Sequence, residues 1–169
     1  EMGIIGGVEF LQLAFEARPE LAEVADFASF HPYTLYPPRS PPESAEDGEI
    51  PVWDMVAQVA GATGLPTTVT EMGWPSWGDV DEDQQADWMI REIALLQAEG
   101  VPQTCVYTLE DGTDPFGNPE HAFGLLREGL GEAKPAGEAF SALPLDVGDC
   151  IGRAEAELGL PEGAFAVRY

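Results

Sequence analysis

Lysine is almost absent from this chain. Of 169 residues only seven are basic, Lys134 is the one lysine among them, and they face 31 Asp and Glu. The formal charge of -24 repels phosphate backbones and anionic lipid, which argues against nucleic acid as a partner. Two readings of that acidity stay open: adaptation to high salt, where screening relieves self-repulsion, and the ordinary acidity of a protein from a GC-rich genome. Cysteine is scarce too. Cys105 and Cys150 make neither a disulfide framework nor a metal cluster, and Cys105, in an apolar stretch, reads as a buried free thiol. No apolar run approaches the ~18 residues of a membrane span, and no charged-then-apolar leader opens the chain. The first residue is Glu1, as expected if something upstream has been removed. A glycine-rich phosphate turn is missing as well, Gly6-Gly7 being far too weak a signal, so a nucleotide-using enzyme fares badly.

What is present alternates. Apolar residues from Val8 to Ala17 recur at helical spacing, and Ala25 to Phe30 forms a short strand candidate closed by His31-Pro32-Tyr33. Residues 34–50 hold four prolines and an acidic run, the composition of a long exposed loop. Pro51 suits a first helical position, Val52, Val56 and Val59 supply a stripe, and Gly61 or Gly64 ends that helix. Thr67 to Glu71 is β-branched and reads as the second strand. Asp79 or Asp81 can cap a helix running to about Ala98 with Gly100 as its stop, and the same feature explains the acidic cluster 79–83 better than calcium. Gln103 to Leu109 is a third strand candidate, and residues 135–143 make a last short helix.

Helix and strand in alternation argue for parallel βαβ units. The strand candidates begin roughly 40 residues apart, near the pitch of an eightfold barrel of ~250 residues, so this length supplies only three or four units. Residues of chemical interest follow the carboxyl end of each strand candidate: His31 and Tyr33, then Glu71, Trp74 and Trp77, then Tyr107, Glu110 and Asp111. That rim is where parallel α/β folds bind ligands. Each has a plainer reading, His31 as a rim hydrogen bonder and Tyr36, Trp53 and Trp77 as packing residues. Glu71 is the exception, because a carboxylate at a strand end beside tryptophan is costly to desolvate unless partners or function retain it.

The segment VTEMGWPSW (69–77) resembles the strand-seven nucleophile segment of retaining (β/α)8 glycoside hydrolases, the clan of cellulases, mannanases, β-xylosidases and β-glucanases. ADFASFHPY (25–33) is similar to that clan's sixth strand. DEDQQADWMIREIALLQAEGV (81–101) resembles the helix after the nucleophile. VYTLEDG (106–112), FGLL (123–126) and KPAGEAF (134–140) are similar to strand eight and its closing helix. The resemblance covers about residues 8–143 and implies an α/β fold, a partial TIM barrel of strands six to eight, as residues 1–145. Residues 146–169 are then expected to be a linker and the first strand of a second, β-rich domain.

By that resemblance Glu71 is the nucleophile, Trp74 and Trp77 shape the sugar-binding wall, and His31, Tyr33, Tyr107 and Asp111 contact substrate or hold the nucleophile in place. No cofactor or metal is implied. The mechanism needs a second carboxyl group ~5–5.5 Å away for retention. In the clan it follows an Asn at the end of strand four, and here Asn118 is the only Asn, with no Asn-Glu pair. Glu110 or Asp111 could stand in, but the stronger expectation is that the acid belongs to a missing N-terminal barrel half, and that this chain alone is inactive or feeble. The expected substrate is a β-linked oligo- or polysaccharide. Secretion or surface association is expected, with a cytoplasmic location left open. The alternative is a noncatalytic carbohydrate-binding or assembly module on the same scaffold.

Overall fold

A computed structural model describes residues 4–33, 37–45, 49–129 and 131–143. Tyr36, Cys150 and the expected linker and second domain at 146–169 lie outside the described residues. Three parallel strands, β1 (Ala28–Phe30), β2 (Thr67–Met72) and β3 (Thr104–Val106), form one sheet in the order β1-β2-β3. Helices α1 (Ile4–Ala17) and α2 (Leu21–Val24) precede β1, α3 (Val52–Thr63) links β1 to β2, α4 (Glu82–Ala98) links β2 to β3, and α5 (Pro135–Ala142) follows. The result is a mixed α/β unit with the helix-strand alternation that the sequence implies. α2, the 3-10 turn Pro119–Ala122, and the early end of β3 at Val106 rather than Leu109 depart from that reading. Pro19 follows α1 closely, and the chain turns at once into α2, which is too short to carry an apolar stripe.

The helix ends are local chemistry. Asp81 caps α4 by accepting from the Gln84 amide at 2.8 Å, while the Gln84 side chain accepts from the Asp81 amide at 3.1 Å, a closed capping box. Gly64 terminates α3 with φ of 69°, a left-handed geometry that any side chain would resist. Between α4 and the sheet lies the core, where Val52, Val56, Val69, Met72, Met89, Ile93 and Leu96 pack together. A second cluster of Val8, Ala28, Met55 and Val59 joins α1 to the other side of α3. Cys105 is half-buried on β3 rather than part of either core, and the Gln103 side-chain amide lies 3.6 Å from its sulfur.

The pairing of β2 with β3 is irregular. Val69 pairs with Thr104 and Met72 with Val106, so the register shifts between them. In a regular strand, residues three apart face opposite sides. Here Val69 and Met72 are both fully buried, and the intervening Thr70 and Glu71 are both left outside. Among the described residues β1 and β3 each pair on one side only, leaving two sheet edges open.

Candidate active site

The register shift carries Glu71 out of the core: its side chain is 34% exposed at the carboxyl end of β2. His31, immediately beyond β1, reaches across with Nδ1 3.8 Å from Glu71 Oε2 and Nε2 3.1 Å from the Thr70 hydroxyl. Thr70 is itself fixed by the Ser29 hydroxyl at 2.6 Å. The imidazole is thereby held from one nitrogen while the other faces the carboxylate. That arrangement follows from β1 and β2 being adjacent and parallel, with Phe30 level with Val69.

Tyr33 stands near the same carboxylate. Burial, then the negative charges of Glu71 and Glu92, push its phenol well above the usual tyrosine range, so it stays protonated. Its hydroxyl is buried and makes no hydrogen bond of normal geometry, although Glu71 is near enough to act on it. The ring is seated edge-on against Phe123 at 6.4 Å. A protonated phenol beside a half-exposed carboxylate is a donor in reserve.

Tyr107, directly after β3, packs edge-on against the same Phe123 at 5.4 Å and donates its hydroxyl to Glu120 at 3.1 Å. The backbone at Gly73 passes so close that a Cβ there would collide with the Tyr107 carbonyl, which explains a glycine two residues after Glu71. Trp77 donates its indole N–H to the Phe116 carbonyl at 3.1 Å, and the Arg39 guanidinium stands 5.6 Å from its ring centre.

Two expectations change at this point. Trp74 is only 5% exposed: its N–H donates to the Ser40 carbonyl at 2.9 Å and its ring meets Trp88 edge-on at 6.1 Å. It therefore props the loop behind the site and offers no open face to a sugar. Asp111 is also buried, accepting from the Gly124 amide at 2.8 Å and from Lys134 Nζ at 3.1 Å. Both contacts fall on Oδ1, so this acid braces the loop after β3. Glu110, the other stand-in for the second acid, accepts from the Gly129 amide.

Three polar residues that the sequence reading passed over complete the support. Lys134 is 0% exposed and gathers the Ser76 hydroxyl, Asp111 and the Ala122 carbonyl within 3.1 Å. Burial lowers its pKa, with Asp111 opposing that shift. Gln85 donates to the Trp74 carbonyl at 2.7 Å and to the Ala122 carbonyl at 3.3 Å, tying α4 to both rim loops. Glu92, 2% exposed on α4, lines a small cavity with Trp74, Pro32 and Ser40, and burial raises its pKa well above the ordinary value. One signal was available: Gln85, Met89, Glu92 and Leu96 recur at helical spacing, which puts two polar side chains on an apolar stripe. Among the described residues no cluster of three or more His, Cys, Asp or Glu could hold a metal ion, and no helix is long and apolar enough to cross a membrane.

No protein-family profile matches the chain, and no curated protein sequence does. Solved structures do match. A family 39 glycoside hydrolase from the gut symbiont Bacteroides cellulosilyticus WH2 aligns with TM-score 0.51 and 27% identity over 70% of this chain. An active-site mutant of Rhizomucor miehei beta-1,3-glucanosyltransferase in complex with laminaritriose aligns with TM-score 0.52 and 17% identity over 80% of it, a likeness of fold alone. The chain spans 27% and 57% of the lengths of those two proteins. Its fold is glycoside-hydrolase-like and matches a part of each of those two proteins.

Proposed function

We propose that this chain is the strand-six-to-eight part of a (β/α)8 glycoside hydrolase that cleaves β-linked glycans with retention, and that Glu71 is its nucleophile. The observation that carries the reading is the β2 register shift, which turns Glu71 onto the rim beside His31 and the protonated Tyr33. In the first step a Glu71 oxygen attacks the anomeric carbon as the bond to the leaving-group oxygen breaks. A second carboxyl group gives that oxygen its proton, and an ester to Glu71 results. Water, or the hydroxyl of another sugar, then attacks the same carbon, the bond to Glu71 breaks to return its carboxylate, and the second carboxylate takes the nucleophile's proton. Tyr33 steadies Glu71 by donating a hydrogen bond once substrate closes the site, and His31 orients the carboxylate from the other side.

The second carboxyl group is assigned to a segment outside these 169 residues. The two open sheet edges and the partial spans of both matching structures support that assignment. It follows that the isolated chain is feeble, that its physical partner is the remainder of a barrel, and that the protein works outside the cell or at its surface, where polysaccharides are met. In the full-length protein, Glu71→Gln is expected to lower turnover of an aryl β-glycoside by about three orders of magnitude or more. Wild-type turnover in that variant overturns the assignment. A noncatalytic carbohydrate-binding role is favoured by one feature, the lack of any Asn-Glu pair, and prevails if the full-length sequence has no such pair at a strand end.

A further inference from the structure

One histidine meets two consecutive residues of β2. His31 Nε2 lies 3.1 Å from the Thr70 hydroxyl while its Nδ1 lies 3.8 Å from Glu71 Oε2. In a regular strand neighbouring side chains point to opposite faces, so a single imidazole is ill placed to reach both. The register shift between Val69 and Met72 removes that alternation and leaves Thr70 and Glu71 outside together. Behind Thr70 stands Ser29 of β1, hydroxyl to hydroxyl at 2.6 Å. Taken alone, either hydroxyl could donate in that pair, and either imidazole nitrogen could carry the proton of a neutral ring.

Counting donors and acceptors together leaves one arrangement for the neutral ring. An ionised carboxylate only accepts, so the nitrogen turned toward Glu71 has to be N–H, since a bare lone pair there would face negative charge. A neutral imidazole with its proton on Nδ1 has an acceptor at Nε2, and the group beside Nε2 is the Thr70 hydroxyl. Thr70 has one hydroxyl proton, and donating it to His31 obliges Ser29 to be the donor in the hydroxyl pair. The run is therefore Ser29 to Thr70 to His31 to Glu71, with every proton pointing toward the carboxylate. His121 shows the opposite case in the same chain: the Asp114 amide donates to its Nδ1 at 3.1 Å, which puts the proton of that neutral ring on Nε2.

We propose that Thr70, with Ser29 behind it, is a positioning residue that holds His31 as the Nδ1–H tautomer, so that a neutral donor and not a lone pair faces Glu71. The consequence for catalysis rests on the reading of Glu71 as nucleophile, whereas the tautomer does not. A neutral donor steadies a carboxylate without cancelling its charge. An imidazolium at the same place forms an ion pair, which has to weaken when the carboxylate attacks carbon. The 3.8 Å separation leaves room for the contact to tighten when substrate closes the site. Thr70 thus acts on its neighbour Glu71 through a histidine 39 positions earlier, without touching the reacting atoms.

The test uses full-length protein isotope-labelled at the histidine nitrogens, at about pH 8, where an ordinary histidine is neutral. Multiple-bond proton–nitrogen NMR spectra distinguish the two tautomers, and the signals of His31 and His121 are those lost in His31→Gln and His121→Gln. His31 is expected as Nδ1–H and His121 as Nε2–H. Thr70→Val keeps the β-branch and removes the hydroxyl. It should move His31 toward Nε2–H and lower kcat on an aryl β-glycoside about fivefold, the factor for one net hydrogen bond, with KM changed less than about twofold. Thr70→Ser should restore both. An Nε2–H ring in the wild type overturns the proposal, as does a tautomer indifferent to Thr70→Val, the result expected if Thr70 only stabilises β2. Where Glu71→Gln is inactive, a tautomer switch without loss of kcat overturns it too. Normal turnover by Glu71→Gln would instead overturn the nucleophile reading and leave a Thr70-dependent Nδ1–H His31 standing.

Discussion

Glu92 offers a direct measurement of what burial does to an acid in this fold. It sits on the buried face of α4, 2% exposed, lining the cavity behind Trp74, and burial raises its pKa well above the ordinary value of 4.5. The folded state therefore keeps the proton at pH values where the unfolded chain has released it. The associated stability is fully present below pH 4.5 and is lost as pH rises toward the folded pKa. While folded Glu92 stays protonated and the unfolded residue is ionised, each pH unit costs about 1.4 kcal/mol. Glu92→Gln keeps the shape and removes the titration. Between pH 5 and 7 the stability of the variant relative to the wild type should therefore rise with pH, at a slope no steeper than that limit. Urea unfolding of both proteins at pH 5, 6 and 7 gives the difference directly, and the background repulsion of a highly acidic chain cancels between them. A difference that does not change across that range would refute the burial argument.

Two further outcomes follow from the same geometry. Lys134→Met leaves Asp111 buried with the Gly124 amide as its remaining described partner, and breaking such a pair costs about 3–5 kcal/mol in an unfolding titration. Adding Asp111→Asn should recover part of that loss, and strictly additive losses would mean the two groups do not act together. Tyr33→Phe removes a buried hydroxyl that makes no hydrogen bond of normal geometry, so stability should move by less than about 1 kcal/mol. Turnover by the full-length protein should nonetheless fall, with kcat affected more than KM, because the hydroxyl is needed by Glu71 only during reaction. A large stability loss with unchanged kcat would contradict that role.

Much of the fold was legible in order and type. Helices α1, α3, α4 and α5 follow from apolar spacing and stop signals, and Asp81 followed by Gln84 is a cap that forms within four residues of chain. The ends of β1 and β2 were legible to within a residue, because Pro32 and the Gly-Trp-Pro run cannot extend a ladder, whereas β3 stops three residues short of Leu109. What defeated the sequence reading were contacts made at long separation. Trp74 was expected to face a sugar, yet it bonds Ser40, 34 residues earlier, and disappears under that loop. Asp111 was placed on the rim with Tyr107, but a lysine 23 residues later draws it inside. Glu92 drew no attention, a polar residue on an apolar stripe.

Period and capping are local, so the sequence by itself determined a parallel α/β arrangement and put Glu71, His31, Tyr33 and Tyr107 at strand ends. The tertiary structure alone decided which of them face outward. A shift of register between Val69 and Met72 changes the side on which Glu71 emerges without altering a single residue, because pairing with β3 sets it and nothing within β2 encodes it.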